Sequence, residues 1–245
     1  MAGKSFVSTC YIRTVRSGND AVQPARLDAA KVAMQHFEMT MPLRSSLIKS
    51  VCVYCGSGPG NDPVFADAAT AFGKILATSG VKLVYGGGSI GLMGAVATAA
   101  LENGGKVTGI IPEFLVRREH AMEGVKDLII TKDMHERKQL MFEHSDAFVA
   151  LPGGVGTLEE LVEQLTWSQL GRHKKPILLA NVKGFWEPLC ALLDHMKALA
   201  FIRAGMDVNL MVADKVDDII PKLRDAMQGV PEQAKDMPPA VAEKL

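Results

Sequence analysis

The chain has 245 residues, and its 27 basic and 27 acidic side chains give a formal net charge of zero. This balance disfavours a nucleic-acid or membrane-surface partner, because such proteins normally carry a basic excess or a basic stripe. Hydrophobic residues at 48% and charged residues at 22% exclude wholesale disorder. No apolar run approaches the ~20 residues that span a bilayer, and neither a secretory signal nor a disulfide framework is evident. We therefore expect a cytoplasmic protein.

The two ends of the chain differ from its middle in hydrophobic patterning. Residues 1–46 show no sustained hydrophobic period, which predicts a poorly ordered extension or an upstream start ahead of Met39 or Met41. The alternative is a transit peptide, which Arg13, Arg16 and Arg26 with few acids slightly resemble. Residues 229–245 contain a proline pair and predict a flexible tail. We therefore expect one folded domain over residues 47–228.

The middle of the chain alternates short apolar runs with helix-length amphipathic stretches. Runs such as Ala147–Leu151 are apolar on both faces, as expected for strands that helices cover on each side. Alternating strands and helices form right-handed βαβ units, so the pattern predicts a single α/β domain with a doubly wound parallel sheet in three α/β/α layers. The expected strands are Ile48–Cys55, Lys82–Tyr85, Val107–Ile111, Leu128–Thr131, Ala147–Leu151, Ile177–Ala180 and Leu210–Val212, and the expected helices span about 62–78, 91–103, 134–144, 157–170, 186–199 and 215–227.

Three of the expected strands end in glycine-rich turns. Gly56 and Ser57 follow the first strand, Gly86–Gly94 follows the second, and Pro152–Thr157 follows the fifth. Glycine lets backbone N–H groups approach an anion, and the helix that follows favours negative charge at its start. Ligands in such sheets bind at the carboxyl ends of the strands, so three turns at one edge indicate a phosphate site. A single glycine-rich turn would not indicate a ligand, because tight strand-to-helix turns use glycine for steric reasons alone.

Two common nucleotide signatures are absent from these turns. No GxxxxGK[ST] loop occurs in the sequence, which argues against ATP or GTP hydrolysis. The glycines from Gly86 to Gly91 can be read as GxGxxG, but the acidic residue expected about 20 residues later is poorly placed. Glu102 falls inside the following helix. A dinucleotide-binding redox enzyme is therefore less well supported than a phosphate-binding site.

Other patterns in the sequence favour structural roles. Cys52 and Cys55 have the spacing of a redox motif, but residues three apart along a strand point to opposite faces, so both thiols are expected to pack in the core. The six histidines show no paired ligand spacing, which argues against a zinc site. His173 and Lys174 lie in the polar stretch 171–176, which predicts a solvated turn.

The stretch after Asp133 contains two cations on one helical face. Asp133 suits an N-cap, and Met134, Arg137, Lys138 and Met141 share the face that the methionines turn inward. In one interpretation the apolar stripe is shifted and the two cations stay in solvent. In the other interpretation the two cations point to the sheet. Buried cations without anionic partners would cost several kcal/mol, so they would form a site that binds an anion.

Thr157 and Glu160 also allow two interpretations. Their spacing matches a capping box, in which the Glu160 side chain returns to the backbone N–H of Thr157. Alternatively Glu160 faces the ligand, and Arg137 and Lys138 separate it from a bound phosphate. In either case we expect Glu160 to be ionised, because the dipole at a helix start favours the anion.

The residues from Pro152 to Glu160 resemble the PGGxGTxxE motif of the LONELY GUY (LOG) family, the cytokinin-activating phosphoribohydrolases. Met134–Lys138 resembles the second signature of that family, and Gly86–Gly94 and Trp167 with Gln169–Gly171 also match. The similarity extends from about Ile48 to Met227. The family has long carried the label "possible lysine decarboxylase", but the sequence offers no convincing Schiff-base lysine for that chemistry.

The resemblance implies a Rossmann-like homodimer that hydrolyses the N-glycosidic bond of cytokinin nucleoside 5′-monophosphates and AMP, without a metal or redox cofactor. It implies that Arg137 and Glu160 are catalytic. The implied phosphate- and substrate-binding residues are Gly153, Gly154, Gly156, Thr157, Glu159, Lys138, Glu119, Thr166, Gly87, Gly88, Met93 and Ser57. Glu119 lies in a segment, Arg117–His120, that departs from the proline-arginine-glutamate form common in plant members. The alternative is a non-catalytic carrier of a phosphorylated ligand, such as the molybdenum cofactor, with the same fold.

Overall fold

The computed structural model describes residues 48–122, 124–202 and 210–228. The strands in these residues are β1 (Ser50–Tyr54), β2 (Lys82–Tyr85), β3 (Val107–Pro112), β4 (Asp127–Thr131), β5 (Ala147–Ala150), β6 (Ile177–Ala180) and β7 (Leu210–Ala213). The helices are α1 (Pro63–Thr78), α2 (Gly91–Glu102), α3 (Glu113–Val116), α4 (Met134–Glu143), α5 (Val155–Gln169), α6 (Glu187–Ala198) and α7 (Ile219–Gln228). The predictions for residues 1–46 and 229–245 lie outside the described residues. In the described part of the chain, no helix has the length and apolar character needed to cross a membrane.

The strands form one parallel sheet in the order β4-β3-β2-β1-β5-β6-β7. The order reverses at β1, where Val51 lies opposite Leu83 of β2 on one side and Ala147 of β5 on the other. The predicted doubly wound parallel sheet is confirmed, and each expected strand is found within two residues of its expected ends. The short helix α3 was not expected, and a 3-10 turn over Val216–Asp218 replaces the expected start of the last helix.

Helices cover both faces of the sheet, so each face has its own apolar core. On one face, α1, α2 and α7 contribute buried side chains such as Phe72, Val96 and Leu223. On the other face, α4 and α5 contribute Met141 and Leu161. This three-layer arrangement leaves the carboxyl ends of the strands as the open edge of the domain.

The two cysteines of β1 and its end pack into opposite cores. Cys52 belongs to the core beneath α4 and α5, whereas Cys55 belongs to the core beneath α1 and α2. Both thiols are free and buried. The prediction of core packing is therefore confirmed.

The prediction of a solvated turn is wrong for His173. Its ring lies 5.3 Å from the ring of Phe142 and 5.7 Å from that of Phe148, centroid to centroid, and only 8% of the residue is exposed. Its Nε2 atom lies 3.3 Å from the carbonyl oxygen of Gln164. Burial lowers the pKa of His173 to about 4, so the imidazole is neutral at physiological pH. Lys174 is exposed, as expected.

Candidate active site

A cavity of about 240 Å³ opens at the carboxyl edge of the sheet, where the strand order reverses. It brings together the ends of β1, β2 and β5 with side chains from α4 and α5. The residues around it are Val53, Cys55, Gly56, Ser57, Gly86, Met93, Glu119, Met134, Arg137, Gly154, Val155, Gly156, Thr157, Glu159 and Glu160. A larger groove of about 370 Å³ lies between α4 and α5, but none of the three glycine-rich turns lines it.

The turn between β5 and α5 leaves the start of the helix without a side-chain cap. Helix α5 begins at Val155, and its N-cap residue is Gly154, which has no side chain to accept a hydrogen bond. The N–H of Gly56 donates to the carbonyl oxygen of Pro152 at 3.1 Å, which ties the turn to the end of β1. An uncapped helix start carries unpaired N–H groups and a partial positive charge, so this turn can bind an anion.

Thr157 lies inside the first turn of α5 rather than at its start. Gly153 packs so closely against it that a Cβ on Gly153 would lie 2.2 Å from Thr157 Oγ1. Because α5 begins two residues earlier than expected, Thr157 and Glu160 do not form a capping box, and that interpretation is wrong. Glu160 instead borders the cavity with 7% of its surface exposed.

Arg137 points inward from α4, as the second interpretation of its helix predicted. Asp133 caps the helix by accepting a hydrogen bond from the N–H of Glu136 at 2.8 Å. The Nε of Arg137 donates to the carbonyl oxygen of Ile110 on β3 at 3.1 Å, and its Nη2 lies 3.5 Å from Glu160 Oε1. Only 7% of Arg137 is exposed, so this is a buried ion pair with one edge on the cavity.

Lys138 has a different role from its neighbour. Its Nζ lies 2.6 Å from Glu159 Oε1 and 3.0 Å from Glu163 Oε1, so two carboxylates of α5 neutralise its charge. Lys138 does not line the cavity with Arg137. Glu163 was not expected at this site; its position four residues after Glu159, on the same side of α5, was the available signal.

The protonation of Glu160 differs from the expectation. Burial raises the pKa of Glu160 from 4.5 to about 7, and the positive charge of Arg137 only partly opposes this effect. The prediction of an ionised acid is wrong below about pH 7, because Glu160 is buried and lies on the second turn of α5, beyond the first turn over which the helix dipole acts. A carboxyl group with this pKa can accept and return a proton near neutral pH.

Glu119 lines the cavity from a loop that the turn after β2 holds in place. The N–H of Ser89 donates to the carbonyl oxygen of His120 at 2.9 Å, and the N–H of Met122 donates to that of Gly87 at 3.0 Å. His120 has a φ of 47°, which a non-glycine residue keeps only where its contacts enforce it. Glu119 Oε2 is shielded from solvent and has no hydrogen-bond partner among the described residues.

The remaining residues implied by the resemblance divide by location. Ser57 and Met93 line the cavity, whereas Gly87 and Gly88 lie in the turn that holds the Glu119 loop. Thr166 is exposed and lies outside the cavity, and its hydroxyl donates to the carbonyl oxygen of Val162 in its own helix at 2.8 Å. Cavity residues that the sequence analysis did not assign to binding include Val53, Cys55, Met134 and Val155, for which position at a strand end or in a motif was the available signal.

The chain is similar in sequence to a known protein family. Residues 93–223 match the profile of the family described as possible lysine decarboxylase. A probable cytokinin riboside 5′-monophosphate phosphoribohydrolase of Oryza sativa subsp. japonica is 48% identical over 173 residues, covering 71% of this chain and 78% of the relative. The chain belongs to the LOG family. A LOG-family relative in Rhodococcoides fascians, named cytokinin riboside 5′-monophosphate phosphoribohydrolase, is 44% identical and covers 72% of this chain and 89% of its own length.

Solved structures with a similar fold include two molybdenum cofactor proteins. The molybdenum cofactor carrier protein of Chlamydomonas reinhardtii aligns with a TM-score of 0.55 at 23% identity, covering 73% of this LOG-family chain and 98% of the carrier. The molybdenum cofactor binding protein of Rippkaea orientalis aligns with a TM-score of 0.54 at 22% identity, covering 72% and 95%. At this level of identity the likeness shows a shared fold alone.

Proposed function

We propose that this LOG-family chain hydrolyses the N-glycosidic bond of nucleoside 5′-monophosphates, both cytokinin nucleotides and AMP, to give the free base and ribose 5-phosphate. The observation that carries the proposal is the buried pair of Arg137 and Glu160 beside the uncapped start of α5 in one cavity. The names of the relatives at 44–48% identity support the same reaction.

The 5′-phosphate is proposed to bind at the turn before and within the start of α5. Gly153, Gly154 and Gly156 supply backbone that a phosphate can approach closely, and Thr157 adds a hydroxyl. Glu119 and Met93 border the remaining space and are proposed to contact the ribose and the base. The phosphate is remote from the reacting bond, and binding it at this turn aligns C1′ with Glu160. This alignment lowers the entropic part of the activation barrier.

The reaction requires a group that stabilises positive charge at C1′. As the bond between C1′ and the base nitrogen breaks, its electron pair leaves on the base and the sugar becomes oxocarbenium-like. The carboxylate of Glu160 is proposed to stabilise this charge and to accept a proton from the attacking water, whose oxygen bonds to C1′. The base takes up a proton in return. Arg137 favours the ionised form of Glu160 and so keeps the carboxylate available.

Glu159, Lys138 and Ser57 complete the proposed nucleotide site. Glu159 and Ser57 lie at the cavity, and Lys138 is proposed to act through Glu159, which it contacts. Gly87 and Gly88 are proposed to act through the Glu119 loop that their turn holds. These residues are positioning or binding groups rather than parts of the chemical step.

A homodimer is proposed to form through the exposed side of α5. Val155 is 83% exposed, Leu158 37% and Val162 43%, and the three lie on one side of the helix next to the cavity. A twofold axis near Val162 would place Thr166 of one protomer opposite Leu158 of the other, which accounts for a substrate-binding role of Thr166 despite its distance from the cavity of its own chain.

The free thiols of the described residues fit a reducing cytoplasm.

The proposal is tested by incubating the purified protein with AMP and with isopentenyladenosine monophosphate and following the free base by chromatography. We expect Glu160→Gln to lower base release by on the order of 10²-fold or more while AMP affinity, measured by calorimetry, changes little. Glu102→Gln, on an exposed helix end, is the matched control and should keep wild-type turnover. Equal turnover by Glu160→Gln and wild type would remove Glu160 from the mechanism. No base from either nucleotide would favour a carrier of a phosphorylated ligand.

A further inference from the structure

Gly86, the first residue after β2, leaves a space that the side chain of Arg137 fills. A Cβ on Gly86 would lie 2.3 Å from Arg137 Nη2 and 3.0 Å from Met93 Sδ. Non-bonded heavy atoms do not approach to 2.3 Å, since carbon atoms at optimal contact are about 3.5–4.0 Å apart. The guanidinium group and a side chain at position 86 therefore exclude one another.

The nitrogen that fills this space is the one that faces the acid. Nη2 of Arg137 lies 3.5 Å from Glu160 Oε1, while Nε donates to the carbonyl oxygen of Ile110 at 3.1 Å. Nη1 lies 3.8 Å from the sulfur of Met134. Nε is therefore anchored on β3, and Nη2 lies next to both Glu160 and the position that a Cβ on Gly86 would take.

We propose that Gly86 is a positioning residue of the site, whose missing side chain sets the distance between Arg137 and Glu160. The consequence for catalysis rests on the proposed hydrolase function, whereas the consequence for the geometry of the pair does not. Gly86 has no positive φ, so alanine is compatible with its backbone. The atoms that an added methyl group would meet are the flexible ends of Arg137 and Met93. Substitution therefore displaces the guanidinium group rather than the strand.

Displacement of Arg137 raises the pKa of Glu160, because it removes a nearby positive charge. Arg137 and Lys138 from α4 lower the pKa of Glu160, whereas burial and the carboxylates of Glu159 and Glu119 raise it. The neutral groups of β1 and its end that face it are Cys52, Tyr54 and Cys55. Moving the guanidinium group away removes the strongest lowering influence, so the pKa of Glu160 in Gly86→Ala rises above its wild-type value.

The experiment compares Gly86→Ala with Gly58→Ala, whose added Cβ would meet nothing within 4 Å. We expect Gly86→Ala to fold with a thermal midpoint lowered by several degrees, because the buried ion pair is weakened. It should also lose about tenfold or more in kcat for AMP and shift the acidic limb of its pH profile upward by about one pH unit. Gly58→Ala should match wild type in all three. A wild-type pH profile in Gly86→Ala would overturn the proposal.

A double-mutant cycle separates positioning from general disturbance. If Gly86 acts through Arg137, Gly86→Ala should cost less than about twofold in an Arg137→Ala background. An equal loss in both backgrounds would overturn the proposal. Independently of any turnover, ¹³C NMR of glutamate-labelled protein, with the Glu160 signal assigned from Glu160→Gln, should show the Glu160 titration moved to higher pH in Gly86→Ala. If wild type releases no base, the proposed function fails, but this titration still decides the role of Gly86.

Discussion

Replacing Glu160 by glutamine tests whether burial, which raises the pKa of this acid, outweighs the positive charge of Arg137, which lowers it. Burial raises the pKa of Glu160 from 4.5 to about 7 in the folded protein. Between these two values the unfolded chain has released the proton that the folded chain still holds, so the stability of wild type falls as pH rises. Each pH unit changes the free energy of unfolding by about 1.4 kcal/mol, and the whole window by about 3 kcal/mol. Below pH 4.5 the effect vanishes, and above about pH 7 it is constant.

The assay is urea unfolding of wild type and Glu160→Gln, followed through the fluorescence of the two tryptophans at one protein concentration. Glutamine does not titrate, so the free energy of unfolding of the variant should gain about 2–3 kcal/mol on wild type as pH rises through the window. Glu102→Gln, at an exposed site, should show no such trend. A difference that stays constant, or that falls as pH rises, would refute the reasoning and show that the ion pair with Arg137 dominates.

Three further predictions follow from single contacts. Gly153→Ala brings a Cβ within 2.2 Å of Thr157 Oγ1, so AMP affinity measured by calorimetry should fall by about tenfold or more; unchanged affinity would place the phosphate elsewhere. Val162→Asp puts a charge on the exposed apolar side of α5, so sedimentation should show monomers of the variant and, if the proposed interface forms, dimers of wild type; a variant that sediments as a dimer would exclude this interface. Lys138→Met leaves Glu159 and Glu163 without their cation, so the thermal midpoint should drop by a few degrees, corresponding to about 1 kcal/mol; no drop would show that the pairs contribute nothing to stability.

The fold was predictable because its signals are local. Each buried strand is a short apolar run and each expected helix is a longer stretch between two such runs, so strand ends were located within two residues. Of the two interpretations of the cations on α4, the inward one is confirmed for Arg137, because the methionines on the same side of the helix indicate which way that side faces. Lys138 instead pairs with two carboxylates of α5. The PGGxGTxxE resemblance located the turn before α5 for a similar reason, since the motif is continuous in sequence.

The properties that sequence reasoning missed depend on contacts between distant segments. The pKa of Glu160 is set by burial against β1 and α4, and no local pattern encodes that burial. The capping box was a reasonable local match, but the helix begins at Val155 because Gly154 can serve as its N-cap. His173 belongs to a polar stretch whose residues give no sign that Phe142 and Phe148 cover its ring.

The reversal of strand order at β1 divides Arg137 and Glu160, the proposed catalytic pair, between two halves of the polypeptide. Arg137 is anchored on Ile110, among the strands that extend to one side of β1, while Glu160 follows β5 on the other side. Asp146, just before β5, accepts hydrogen bonds from the N–H groups of Lys49 and Ser50 and so fastens the seam between the halves. A polypeptide severed near Asp146 would yield two fragments that each keep one member of the proposed pair, and we expect the proposed activity to return only when the fragments reassociate along β1.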